Sequence, residues 1–156
     1  MLNKALKESN IDVNTQDFSN WTPLHCAAAN DKVECVQLLL ALGNINVNQN
    51  NYRSKTPLHY AAYNGYLGCI NLLLAMHNIG VNAQDEHERT LLHHSARQSH
   101  VECIKSFLTI SNINVNIKDA CCSTPLSLAR RSDGSYKQPI CEVLVNHSSI
   151  EENPSS

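Results

Sequence analysis

The sequence predicts an all-α solenoid, a row of stacked helix–turn–helix units joined by β-turn or hairpin loops. Three columns of residues carry that expectation. Thr22, Thr56, Thr90 and Thr124 open closely related phrases, "TPLHCAAAND", "TPLHYAAYNG", "TLLHHSARQS" and "TPLSLARRSD", at a constant spacing of 34. Asn14, Asn48, Asn82 and Asn116 close "IDVN", "INVN", "IGVN" and "INVN" at the same interval. Cys35, Cys69 and Cys103 keep it too, and Cys141 follows after a short insertion. Columns of different chemistry that share one period define an internal repeat.

Along the chain, residues 1–14 read as a partial N-terminal cap, because "LNKALKESN" aligns only with the end of a second helix. Such a start suits either a minimal polar cap or the edge of a longer array. Repeats then begin near Asp17, Asn51, Asp85 and Asp119 and make one repeat domain over residues 1–147. In the second repeat Thr56 is an N-cap whose hydroxyl can accept an early N–H, and Pro57 suits the first helical position, where no partner for its missing N–H would exist. Leu58, Ala61 and Ala62 give the helix a small-residue face for close packing. Gly65 suits the left-handed conformation that ends it. A second helix follows, with an apolar stripe of Leu67, Ile70, Leu73 and Leu74. "VNAQD" leads into the next turn.

The T-P-L-H-x-A pattern resembles the ankyrin repeat, from about Ile11 to Leu144. A period of 34 also fits tetratricopeptide repeats, but their W-x2-L-G-x2-Y signature is absent. The usual ankyrin period is about 33, and the extra residue falls in "GNINVN", where Ile45, Ile79 and Ile113 plug a place that alanine usually takes. The resemblance implies an ankyrin-repeat solenoid in which Thr22, His25, Thr56, His59, Thr90, His93 and Thr124 are structural motif residues, the histidines tying one repeat to the next. It implies that the asparagine column serves the turns between repeats. It also implies Asn48, Asn82 and Asn116 as possible hydroxylation sites, since an asparaginyl hydroxylase modifies this asparagine in some members. Asp31 and Ser99 replace the helix-ending glycine and Leu91 replaces the proline, so repeats one and three should be less stable than repeat two. Repeat four has Ser127 for histidine and an insertion in "RRSDGSYKQP". Residues 148–156 read as a disordered polar tail.

Apolar residues make up 42% of the chain, enough for a continuous core, and the net charge of −2 is spread without a basic stripe. Nucleic acid is therefore not an expected partner. No run approaches the roughly 18 apolar residues of a membrane span, so no membrane insertion is expected. The Cys35, Cys69, Cys103 and Cys141 column reads as small buried apolar residues. Neighbours on packed helices stand about 8–10 Å apart, beyond the roughly 7 Å limit for a disulfide. Adjacent Cys121 and Cys122 lack a CxxC partner, so no metal and no other cofactor is expected. The setting is intracellular, cytoplasmic or nuclear, in a reducing compartment. There is no GxSxG, P-loop or HExxH, and the histidines and cysteines repeat where an active site would be unique; an enzyme is not expected.

If repeated columns build the scaffold, unrepeated positions choose a partner. The resemblance places these on a concave face of turn tips and first helices: Phe18, Ser19, Trp21, Ala29 and Asn30; Tyr52, Arg53, Lys55, Tyr63 and Asn64; Glu86, His87, Arg89, Arg97 and Gln98; and Cys121 and Arg131. The partner-binding candidates among them are Phe18, Trp21, Tyr52, Arg53, Lys55, Tyr63, Asn64, His87, Arg89 and Arg97. Trp21 and Phe18 either contact a partner or cover the first repeat's core. Arg53, Lys55, Arg89, Arg97 and Arg131 suggest an extended peptide with acidic and apolar side chains. The implied function is a non-enzymatic, monomeric binding module for an unidentified protein or peptide, as adaptor or scaffold. The alternatives are an inhibitor that occludes an enzyme and a structural fragment of a longer array.

Overall fold

The computed structural model describes residues 11–152, so the expected cap before Ile11 and the last four residues of the expected tail lie outside it. Among the described residues there are eight helices and no strand. They pair as α1 (Pro23–Ala29) with α2 (Val33–Leu40), α3 (Pro57–Asn64) with α4 (Leu67–Leu74), α5 (Leu91–Arg97) with α6 (Val101–Phe107), and α7 (Pro125–Arg131) with α8 (Lys137–Glu152). The first helices stack as one layer, α1 on α3 on α5 on α7, and the second helices as another. Helices of seven or eight residues are too short to hold alone in water, so their stability comes from this stacking.

Each first helix starts where the threonine column predicts. Thr22 and Thr124 accept from the backbone N–H of His25 at 3.4 Å and of Ser127 at 3.2 Å. The motif histidine completes the cap: Thr22, Thr56 and Thr90 each donate their N–H to Nδ1 of the histidine three residues on, at 3.1 Å. That fixes Nδ1 as an acceptor, so Nε2 carries the proton. Nε2 donates onward to the carbonyl of Lys55 at 3.0 Å from His25, of Ala83 at 3.0 Å from His59, and of Ser123 at 2.9 Å from His93. One side chain thus closes its own helix, and from His25 and His93 it also reaches the turn of the next repeat.

The first helices of repeats one to three end in left-handed backbone at Asp31 (φ 52°), Gly65 (φ 75°) and Ser99 (φ 63°), the places assigned to a terminating residue. Only glycine adopts this without a Cβ penalty. A second left-handed column at Asn20, Ser54, Glu88 and Cys122 sits in the turn tips, again one period apart and never glycine. There Asp17, Asn51, Asp85 and Asp119 offer one side-chain oxygen to two backbone N–H groups of their own turn, at 2.8–3.0 Å.

The core runs through the stack as columns: Leu24, Leu58 and Leu92 from the first helices, Val36, Ile70 and Ile104 from the second, and Val47, Val81 and Val115 from the connecting loops, all buried. Each such side chain contributes on the order of 1.5–3 kcal/mol by leaving water. Alanine at 27, 28, 61, 62 and 96 lets the first helices approach closely. Ser95 stands in the same layer and satisfies its hydroxyl by donating to the Ala62 carbonyl of the preceding repeat at 3.1 Å. Ile113 is buried, and Ile45 and Ile79 pack against the core half-buried.

Three sequence expectations change here. Cys69 and Cys103 are buried, but Cys35 is exposed and Cys141 half-buried, so a shared register does not give every member of the column the same cover. Leu67, expected in the apolar stripe, is 36% exposed at the first position of α4, while Ile70 and Leu73 face inward. The backbone of residues 148–152 continues α8 rather than forming an irregular tail.

Candidate functional site

The turn tips lie side by side and are joined directly. The N–H of Tyr52 donates to the Ser19 carbonyl at 3.2 Å, that of Glu86 to Arg53 at 3.0 Å, and that of Ala120 to His87 at 3.0 Å. Behind them the asparagine column links the loops. Asn48 donates its amide to the Asn78 carbonyl at 2.7 Å and accepts from the Gly80 N–H at 2.8 Å. Asn14 makes the same pair of bonds with residues 44 and 46, and Asn82 with residues 112 and 114. Unrepeated side chains are therefore displayed on a frame whose successive repeats are fastened to one another.

The aromatic candidates divide. Phe18 is fully exposed, with a relative exposure of 109%; Tyr52 is 57% and Tyr63 45% exposed. Trp21, expected on a solvent-facing turn, is half-buried instead. Its ring lies 4.5 Å from that of Tyr60 in the next repeat, and 5.8 Å from that of His25. A cavity of about 480 Å³ on repeat one is lined by Pro23, Cys26, Ala27, Cys35, Leu38 and Leu39 among others, and neither Phe18 nor Trp21 is in that lining. Trp21 thus braces repeat one against repeat two, and Phe18 covers nothing.

The cationic candidates are less free than the sequence suggests. Lys55 Nζ is 4.0 Å from the buried Oδ2 of Asp85, Arg89 Nε is 3.6 Å from the buried Oδ2 of Asp119, and Arg53 Nε is 3.8 Å from Glu86. Each acid belongs to the following repeat. Lys55 and Arg89 occupy the column that Trp21 opens, and the acids they meet follow on from Asn51. Where no carboxylate is present, the amide of Asn51 donates to the Tyr60 hydroxyl at 2.7 Å, and Trp21 stacks on that tyrosine. Arg53 also donates to the Tyr52 hydroxyl at 2.7 Å and lies over its ring. His87 is exposed 3.7 Å from Glu86, and Asn64 is half-buried, donating to the Tyr60 carbonyl at 3.0 Å. Arg97 and Arg131 are exposed, and neither forms an ion pair among the described residues; Arg131 donates to the Ser123 hydroxyl at 3.3 Å. The expected excess of positive charge is therefore largely balanced by neighbouring repeats, except at these two arginines.

Two contributors to this surface are not legible in the threonine and asparagine columns. One is Tyr60, which Trp21, Asn51 and Lys55 all approach. The other is His94, buried in the same column one repeat later, whose Nε2 is 2.9 Å from Asp85 Oδ2. The tandem "HH" was the available signal. Burial alone would raise the Asp85 carboxyl, but the His94 hydrogen bond and the N–H groups of Arg89 and His87 outweigh it, and the net shift is strongly downward. Burial holds His25 and His93 below the ordinary imidazole value, and burial with the neighbouring His94 pushes His59 down to about 4. These groups hold helix starts and turn tips in place, some within one repeat and some across to the next. No group of three or more potential metal-ligating side chains occurs among the described residues, and no described helix is long and apolar enough to cross a membrane.

Comparison with known families gives two matches. The family model described as ankyrin repeats (3 copies) matches residues 1–85, and that described as ankyrin repeat matches residues 87–120. No curated protein matches the chain.

Proposed function

The chain belongs to the ankyrin-repeat family, and from that premise we propose that it binds a partner protein through the face formed by its turn tips and first helices, as a non-enzymatic adaptor or scaffold. Ankyrin repeats are generally protein–protein interaction modules. The observation that supports this face is the row of exposed aromatics, Phe18, Tyr52 and Tyr63, held at unrepeated positions of a rigid frame and not covered by the rest of the fold. Large aromatics left in water on an ordered surface are the usual anchors of an interface, and truncating one costs about 2 kcal/mol or more of binding. Tyr52 and Arg53 present a joined ring and guanidinium, a second feature common at such anchors. The chain acts as a monomer in a reducing, intracellular setting in this reading.

The test compares partners captured by the parent chain and by a Phe18→Ala, Tyr52→Ala, Tyr63→Ala variant of matched melting temperature. Loss of the same partners from the variant supports this face. Undiminished capture moves the interface to the second helices or the loop between α7 and α8. Trp21 is left intact, because its contact with Tyr60 ties it to stability.

A further inference from the structure

Resting on that reading, we infer that the face is polarised along the stack and accepts an extended acidic peptide in one direction, apolar end over repeats one and two, carboxylates over repeats three and four. The position near the end of each first helix runs Ala29, Tyr63, Arg97, Arg131, changing from small to aromatic to cationic to cationic. Two contacts orient this column toward the turn tips. The Tyr63 ring lies 5.8 Å from Nζ of Lys55, a turn residue of its own repeat, and Arg131 reaches the turn residue Ser123. Arg97 stands between them by register.

Charge complementarity selects the occupant. Arg53, Lys55 and Arg89 each have a carboxylate from the following repeat within 4.0 Å, and would gain little from a second. Arg97 and Arg131 have no ion-pair partner among the described residues, and both are exposed, so a ligand carboxylate there meets an unneutralised guanidinium in a geometry suited to two parallel hydrogen bonds. Packed helices stand about 8–10 Å apart, and an extended chain in the polyproline II conformation advances about 3.1 Å per residue with three residues per turn, so side chains three positions apart lie on one side of it. Carboxylates three positions apart therefore match successive repeats, and an apolar residue three positions earlier falls at Tyr63.

A fluorescein-labelled synthetic peptide tests this, with one phenylalanine followed by two glutamates at three-residue spacing in a serine–glycine background. Control peptides carry lysines for the glutamates, adjacent glutamates, or the reversed order. Fluorescence anisotropy should rank the first peptide tightest, with binding falling about tenfold in Arg97→Gln and again in Arg131→Gln, and falling with salt. Both arginines are exposed, and matched melting curves confirm the variants fold. Equal binding of glutamate and lysine peptides, indifference to both arginine variants, or no binding of any probe overturns the acidic assignment. Binding that ignores charge but is lost in the Tyr52→Ala, Tyr63→Ala variant overturns this inference alone and leaves the binding face standing. Binding indifferent to those tyrosines as well removes both.

Discussion

His94 Nε2 and Asp85 Oδ2 lie 2.9 Å apart with both side chains buried, and they join the first helix of repeat three to its own turn. Lys55 of the preceding repeat approaches the same oxygen at 4.0 Å. Removing one partner of such a pair strands the other without water. His94→Ala should therefore lower stability by about 3 kcal/mol, and the Asp85→Asn, His94→Ala double variant should lose clearly less than the two single losses together. Urea unfolding of the four proteins measures this coupling; strict additivity would show that the two side chains act independently.

Acid should weaken the fold well before the carboxylates titrate. His59 is pushed down to about 4 in the folded chain, against 6.5 for an ordinary imidazole, so between these values the unfolded chain holds a proton that the folded chain refuses. Stability is then complete above about pH 6.5 and falls toward pH 4, by on the order of 3 kcal/mol from this residue. His25 and His93 act in the same direction, and the depressed Asp85 carboxyl extends the loss further into acid. His59→Gln should be less stable at pH 7 yet show a flatter slope of stability against pH.

The left-handed helix ends separate repeat two from its neighbours. Ser99→Gly should stabilise by about 0.5–1 kcal/mol, because it removes a Cβ from backbone at φ 63°. Gly65→Ala should cost more than the conformational penalty alone. Its Cβ would lie 2.6 Å from Nδ1 of His100, whose Nε2 meets the Tyr63 carbonyl at 3.0 Å, so the ring can yield only by giving up that bond. Thermal melts of the two variants should move in opposite directions.

Trp21 and Phe18 stand three residues apart and should behave oppositely. Trp21→Ala removes a ring packed on Tyr60 and should cost about 1–2 kcal/mol. Phe18→Ala removes a fully exposed ring and should leave stability within about 0.5 kcal/mol. Chemical denaturation decides this, and a large loss from Phe18→Ala would assign it a structural role.

The asparagine column predicts a graded response. Asn48→Ala and Asn82→Ala each delete two bonds to the following loop and should cost about 2 kcal/mol; Asn116→Ala deletes no such bond among the described residues and should be nearly neutral. The same contrast orders the proposed hydroxylation. An asparaginyl hydroxylase should add its oxygen atom to Asn116 ahead of Asn48 and Asn82, as read by peptide mass mapping.

The frame was legible because repetition advertises it. Threonine, histidine and asparagine recur wherever a helix must start or a loop must be tied, and the bonds they make follow from their position in one unit. The face was legible only as a set of positions. Whether Trp21 stacks or protrudes depends on Tyr60 in the next repeat, and whether Lys55 or Arg89 is free depends on an acid that opens the repeat after its own. Such pairs cross from one unit to the next, where the period says which columns meet and nothing about which side chains fill them.

The unlike pairs at successive junctions give the array a fixed order. Trp21 meets Tyr60 beside Asn51, Lys55 meets Asp85 with His94, and Arg89 meets Asp119. Excision of residues 51–84 would leave a chain with every motif in phase, yet it would bring Trp21 to the place of Lys55 against the buried Asp85 carboxylate. Duplication or loss of a unit, the easiest change for a repetitive gene to suffer, is thereby made costly in a protein whose separate units look interchangeable.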